Sequence, residues 1–530
     1  MNRRAASRWL GAGLILATTA ADLVHARGDP AEKWWAIVSQ LADDSLEGRM
    51  TGSPGYDRAA GQVAREFRRI GLKPAGTQGY FQPIDFVAQR FDPPASRAVL
   101  AGAGNSVPLA IPGDLYFRGS HPMPAAVDAP MVFAGYGLSM PELGHDDFAG
   151  LDLRGKVVLV ISGGPKDIPG SRKANARSER ARLLAERGAV GMIALTSPKQ
   201  AEIPWDRQVA LAGRPSMYLA DPSLREIERD FMSASFSPGR SELLFAGAAH
   251  SFAELAALAD AARPLPRFEL PLRFTARIVA ESRPVRSANV IARLPGSDRR
   301  LAAQHVVLSA HLDGLGINEP SDGDAIYNGA IDNAVGVANV VAIAREMARG
   351  KRPRRSILFF VPTAEEMGLL GSRYFVKRPT VPAGSLVADI NFDMPLPIFP
   401  LTSVTPIGYE ESTLGEDAAR VSAAMGLPVV PDPFPDRNVF IRSDQYSFIR
   451  AGIPALFLKF GFTAGTPEAE LERRWRADIY HSPRDDVRQP MRHLDAARFN
   501  AWSAALLRKV ADNPERPRWL ASSYFTRFAR

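Results

Sequence analysis

After residue 287 the chain lays down five short apolar runs in which hydrophobic residues follow one another almost without alternation. They are ANVIARL (288–294), HVVLSA (305–310), SILFFV (356–361), LVADINF (386–392) and PALFLKF (454–460). A strand with one wet face alternates polar and apolar residues. A strand that is apolar throughout must be covered on both faces. Amphipathic segments such as AVGVANVVAIAREMAR (334–349) separate the runs. The expected fold class is therefore α/β, a mixed, mostly parallel sheet flanked by helices. In such sheets ligands bind at the carboxyl ends of the strands, so the residues that follow each run are the ones to inspect.

The rest of the chain limits the alternatives. At 530 residues it exceeds one ordinary core, and its 46% hydrophobic and 23% charged residues are those of a globular protein. The net charge of +8 comes from scattered arginines; the densest cluster, RGKRPRR (349–355), lies between a helical pattern and a strand. It reads as a solvated connection, so no nucleic-acid partner is expected. Arg3, Arg4 and Arg8, the apolar WLGAGLILATTA and VHA before Arg27 read as a signal peptide, residues 1–26. That run is short for a membrane span, so the mature protein is expected to be periplasmic or secreted, with no stable membrane insertion. Absence of cysteine removes both a disulfide framework and a lipid-anchor thiol.

Residues 30–118 carry two helical patterns, the second closed by Gly71, around the loop EGRMTGSPG. From about 125 the texture changes to short strands (APMVFAGYG, KVVLVIS, MIAL) with one helix, SERARLLAERGAVG (178–191). Proline-rich joints near 120–130 and at PLPRFELP (264–271) suggest an insertion over 119–275, with 30–118 and 285–515 forming the main domain. GLDLRGKV (150–157) has the spacing of a phosphate loop, but Val157 lacks the hydroxyl and a strand follows, so it reads as a turn.

The strand exits carry the chemistry. FFVPTAEEMGLLGS (359–372) sets Glu365 beside Glu366 where an apolar run ends. Burying even one carboxylate costs several kcal/mol, on the order of 3–5, unless a positive charge meets it. His311 and Asp313 follow HVVLSA, Asp393 follows LVADINF, Asp332 precedes a helix in YNGAIDNAVG, and His481 lies in DIYHSPRDD. Two imidazoles among carboxylates suit divalent metals. Two ions about 3.5–4 Å apart can share one carboxylate. Asp332 is the natural bridge, with His311 and Asp393 on one ion and Glu366 and His481 on the other. Asp313 fits a carboxylate that orients a ligating imidazole. Neighbouring extended residues point in opposite directions, leaving Glu365 to face a water and carry its proton. Each residue alone has a blander reading: Asp332 as a helix N-cap, the two glutamates as first-turn acids, Asp393 as the start of a turn. Their joint placement favours the metal reading.

The order AHLDGLG, IYNGAIDNAVG, TAEEMGLLGS, NFDMP, RSDQYSF, YHSPRDD resembles the co-catalytic di-zinc aminopeptidases. Their superfamily includes glutamate carboxypeptidases, transferrin receptors and glutaminyl cyclases. LADDSLEGRMTGSPG…AREFRRIGLKPAG resembles that family's opening segment, and FAGYG…DDFAGLDLRGKVVLV…ERARLLAERGAVGMIAL resembles a protease-associated (PA) domain. The resemblance implies a zinc-peptidase/phosphorylase-like fold with an inserted α+β PA domain. It implies His311, Asp332, Glu366, Asp393 and His481 as ligands of two Zn2+ (oxygen-rich ligation leaves cobalt or manganese open), Glu365 as general base and Asp313 behind His311. The implied activity is that of an exported metallo-aminopeptidase, cutting N-terminal residues from peptides with a water bridged by two zinc ions. Two departures stand out. Ser443-Asp444-Gln445 replaces the common Ser-Asp-His, and Phe440, Ile441 and Arg442 stand where some members place a tyrosine. The alternatives are a glutamate-carboxypeptidase-like or dipeptidase activity, with Arg442 or Arg437 receiving a terminal carboxylate, and a non-catalytic binding protein.

Overall fold

The computed structural model describes residues 29–529 apart from 103, 202 and 322; the signal-peptide reading of 1–26 lies outside these residues. Two sheets organise the chain. In the larger, nine-stranded sheet the order is Ser216–Leu219, Phe81–Phe91, Ala280–Leu294, Ser356–Val361, His305–Ser309, Leu386–Asn391, Ala455–Phe460, Val404–Ile407, with Lys73–Pro74 also paired to Ala280–Leu294. The four strands from Ser356–Val361 to Ala455–Phe460 run parallel, and the strands on either side run antiparallel. The parallel centre coincides with four of the five apolar runs. ANVIARL is instead the end of a long antiparallel strand, since its partner Phe81–Phe91 runs beside it for eleven residues.

The absence of alternation has the cause inferred from sequence. Val306, Leu308 and Phe359 pack into a cluster with Trp34, Phe67 and Trp502. Their neighbours Val307 and Phe360 point the other way, against Phe375 and Phe448. Helices cover both faces. Pro54–Ile70 starts where the Ser53 hydroxyl accepts the Tyr56 N–H at 3.1 Å, and ends at Gly71 in the left-handed region; such a cap stabilises by about 1 kcal/mol.

The paired strands Phe81–Phe91 and Ala280–Leu294 leave the larger sheet as a ribbon. Asp92 N–H donates to the Val279 carbonyl, and beyond them the chain enters the second sheet. Its eight strands include Arg97–Gly102, Asn105–Leu109 and Leu115–Phe117. Its centre is a parallel run of Ala126–Ala134, Val157–Ile161, Gly191–Leu195 and Met232–Phe236. From this unit Ser216–Leu219 crosses back to close the edge of the larger sheet. The helix read from Ser178 begins at Gly170; its first turns lack an apolar stripe and are held by tertiary contact, Tyr446 donating to Asn175 Oδ1 at 2.6 Å. Glu226 adds ion pairs to Arg373 and Arg450.

The arginine cluster before Ser356 is an exposed connection over Arg349, Lys351 and Arg352, and Arg354 pairs with Asp298 while half-exposed; Arg355 alone departs from the solvated reading, being fully buried and donating to the carbonyls of Val510 and Glu515. Its guanidinium satisfies carbonyls in and beyond the last turn of His493–Asp512, a role that no local pattern reveals.

Candidate metal centre

Topology brings the strand exits together. Ser356–Val361, His305–Ser309 and Leu386–Asn391 are adjacent and parallel, so Glu365, Glu366, His311 and Asp393 emerge at one rim. Asp332 arrives from the loop before helix Val335–Arg349, and His481 from the loop after helix Pro467–Asp478. Asp332 lies between the imidazoles: its Oδ1 is 3.2 Å from His311 Nε2, and its Oδ2 is 3.3 Å from His481 Nε2. Asp393 Oδ1 is 3.7 Å from His311 Nε2, and Glu366 Oε2 is 3.5 Å from His481 Nε2. Potential donor atoms of Asp332, Glu366 and His481 lie within 4.8 Å of one another, as do those of His311, Glu365 and Asp393.

Backbone geometry turns these side chains inward. Ala364, Met394 and His481 all have positive φ, at 57°, 46° and 56°. For residues with a side chain this region is costly, and it concentrates where surrounding structure enforces it for function. Ala364 is enforced by its N–H, which donates to Thr51 Oγ1 at 3.1 Å.

Asp313 acts differently from the sequence expectation. The imidazole Nδ1 of His311 faces the main-chain carbonyl of Asp313 at 3.1 Å, whereas the carboxylate lies 3.9 Å away. That carboxylate accepts the N–H groups of Glu365 (3.0 Å) and Glu366 (3.2 Å) instead. Asp313 thus fixes all three residues, one through its backbone and two through its side chain. The blander N-cap reading of Asp332 does not hold: Asn333 accepts the Gly336 N–H at 3.1 Å, and the Asp332 carboxylate lies between the histidines. The helix after the glutamates begins only at Leu370, so they are not its first-turn acids.

Three residues outside the predicted set complete the scaffold. Asp485 accepts the N–H groups of Ile331 and Asp332, both at 2.9 Å. Buried Arg49 donates to the carbonyls of Leu312 and Gly329 at 2.9 Å each, joining the His311 exit to the Asp332 loop. Thr51 Oγ1 lies 3.3 Å from Asp313 Oδ2. All three stood inside quoted motifs, EGRMTGSPG and YHSPRDD, but nothing local marked them. Tyr480, which stacks on His481 with ring centres 3.7 Å apart, was likewise missed. Gln445 takes a structural role: it accepts from Asn391 Nδ2 at 2.7 Å and donates to the Phe440 carbonyl at 2.9 Å.

The electrostatics expose a charge deficit. Burial, with Asp393, Glu366 and Asp444 nearby, pushes the Glu365 carboxyl well above its ordinary range. Burial and Asp332 raise Glu366 to about 7. Burial opposes the charge of Asp332, yet the two imidazoles hold its carboxyl well below normal. Burial would discharge His311, but Glu365, Asp332 and Asp393 hold its proton far more tightly than usual. His311 Nε2, Glu366 Oε1 and Asp393 Oδ1 are buried with no hydrogen-bond partner. Orphaned nitrogen and oxygen lone pairs that face one another, inside an excess of carboxylate, fit divalent cations, which would displace the protons this cluster draws in.

A parallel-centred α/β sheet with imidazoles and carboxylates gathered at its carboxyl rim defines the class of α/β domains with a candidate metal centre. Sequence comparison adds that residues 289–507 match Peptidase family M28. The chain is similar to leupeptin-inactivating enzyme 1 of Streptomyces exfoliatus, 28% identical over 239 residues that cover 41% of this chain and 48% of that protein. It is similar also to the probable lipoprotein aminopeptidase LpqL of Mycobacterium tuberculosis, 30% identical over 222 residues, 37% of this chain and 39% of that one. The matches span about half or less of these curated relatives. An aminopeptidase from Aneurinibacillus sp. strain AM-1 shares the fold, with a TM-score of 0.52 and 19% identity over 94% of this chain and 97% of that chain.

Proposed function

We infer that this chain is an exported zinc-dependent aminopeptidase that hydrolyses N-terminal residues from peptides. The observation that carries the reading is the pair of facing donor groups with Asp332 between them and Glu365 alongside. His311 and Asp393 would hold one zinc ion, Glu366 and His481 the other, and Asp332 both. When bound, such ions supply Lewis-acid polarisation of a carbonyl and an acidified water. Glu365 accepts a proton from the attacking water and returns it to the leaving amine nitrogen. Asp313, Thr51 and Arg49 keep Glu365 and the His311 exit in register. Tyr480 on His481 and the exposed Arg442 line the same pocket and stand as donors toward the substrate carbonyl where some relatives have a tyrosine. The second sheet, with its parallel centre, supports the assignment of a PA-like unit covering the site.

Carboxypeptidase-like action remains the second reading because the Arg442 guanidinium has neither a hydrogen bond nor an ion pair among the described residues. Arg437 is committed to Glu472 at 2.8 Å. No helix among the described residues is long and apolar enough to cross a membrane. Turnover of a leucyl reporter and of matched peptides with free and acetylated amino termini tests the reading. Cleavage of the free peptide alone, abolished by chelation and restored by zinc, is expected; preference for the blocked peptide would transfer the assignment to the second reading.

A further inference from the structure

A cavity of about 1190 Å³ opens between the two units, and Glu366 and His481 form part of its wall. It is therefore continuous with the candidate metal centre. Its charge is lopsided. Lys166, Lys173, Arg180, Lys199 and Arg442 all line it, and none makes an ion pair among the described residues. Lys173 and Arg180 reach only main-chain carbonyls, that of Pro165 for Lys173 and those of Tyr136 and Arg177 for Arg180. Lys166, Lys199 and Arg442 are exposed to the cavity solvent.

The lining carboxylates are Asp260 and Glu366, and both are engaged. Asp260 accepts from Ser197 and from Gln200, the latter at 3.0 Å; Glu366 faces His481. Arg118 and Arg214, also in the wall, act on Glu366 electrostatically from the second unit. A concave, low-dielectric surface of one sign focuses its field and concentrates ligands of the other sign. Uncompensated cations so placed cost stability through mutual repulsion unless a ligand meets them.

We propose that this cavity receives the anionic part of an acidic peptide whose amino-terminal residue lies at the metal centre, so that the enzyme selects substrates carrying carboxylates beyond the scissile bond. The inference rests on the aminopeptidase reading and adds a substrate class to it. The amine end occupies the carboxylate-rich rim, and the remaining residues, with their acidic side chains and terminal carboxylate, extend along the lysines and arginines. The second unit is then a specificity element, since it carries Lys166, Lys173, Arg180 and Lys199.

The test compares Leu-Glu-Glu, Leu-Ala-Ala and Leu-Lys-Lys at low salt in one preparation. Focused fields raise encounter rates by about 10–1,000-fold. The expected kcat/KM for Leu-Glu-Glu is therefore at least about tenfold above Leu-Ala-Ala, carried by KM, with Leu-Lys-Lys poorest. At about 0.5 M salt, where screening acts within a few ångströms, the ratio should collapse several-fold. A K166E/K173E/K199E variant should lower the acidic-to-neutral ratio below one, with its thermal transition as the folding control. Equal kcat/KM for the three peptides at low salt, or an unaltered ratio in the folded variant, overturns the proposal. Turnover of the leucyl reporter stands apart: its absence would sink the peptidase reading. In that event anisotropy of a labelled tetraglutamate still reads the cavity, as binding weakened by the triple variant. Displacement of that probe by an oligonucleotide of equal charge with equal potency would assign the cavity to polyanions at large and overturn the acidic-peptide assignment.

Discussion

Glu365 and Glu366 are adjacent in sequence, equally acidic, and pinned by one carboxylate, Asp313, so neutralising each in turn separates their roles. Glu366 belongs to the group with Asp332 and His481, and its Oε1 is buried and orphaned. Glu366→Gln removes a proposed ligand. Losses of 10–100-fold in metal affinity are typical even for outer residues, so loss of a ligand should reach at least about 100-fold. Glu365→Gln keeps shape and the proposed ligands but removes the proposed proton acceptor, and kcat should fall by about 10²–10⁴, or roughly 3–5 kcal/mol of barrier. Metal analysis should find two zinc ions per chain in Glu365→Gln and at most one in Glu366→Gln. The metal-free proteins add a second readout. A buried carboxyl whose pKa is raised destabilises the fold as pH rises through the window between its ordinary value and the raised one. Glu365→Gln removes that penalty, so chelated Glu365→Gln should melt above chelated wild type. Near wild-type turnover in Glu365→Gln, or retention of both ions in Glu366→Gln, would refute the division of labour between them.

Further outcomes follow from the same geometry. Chelation should lower the melting temperature as well as abolish turnover, because an ion at about 1,000 times its Kd stabilises by about 4 kcal/mol; calorimetry with zinc added back checks this. Asp485→Ala leaves the N–H groups of Ile331 and Asp332 without acceptors, costing about 1–3 kcal/mol each and loosening Asp332, so zinc content and stability should fall together. Glu226→Gln leaves Arg373 without a counter-charge and Arg450 with only Glu179 at 3.9 Å, and should cost up to about 3 kcal/mol at neutral pH. Burial opposes the Glu226 charge but the arginines outweigh it and depress its pKa. Its contribution is therefore complete above the ordinary glutamate value and is lost as pH falls through the depressed one. Urea titrations should show wild type and variant converging in acid.

The sequence by itself determined the periodic features and the charged anomalies. Unalternating runs required a doubly covered sheet, because period-two burial leaves no other way to hide both faces. The strand-end positions of His311, Glu365, Glu366 and Asp393 followed from parallel neighbours sharing a carboxyl edge. Tertiary structure decided what depends on distant partners. It sent the Asp313 carboxylate to the glutamate N–H groups and only its carbonyl to His311. It gave the Gly336 N–H to Asn333 and not to Asp332, and buried Arg355 against the end of a helix 155 residues away in sequence. Arg49 and Asp485 were legible as residues but not as braces, since an arginine among carbonyls and an aspartate beneath a loop leave no periodic trace. The cationic cavity, too, exists only once the chain between the two paired strands folds back over the rim. A linear chain records which groups are charged; only the fold sets which of them face each other across low dielectric, where that charge has consequences.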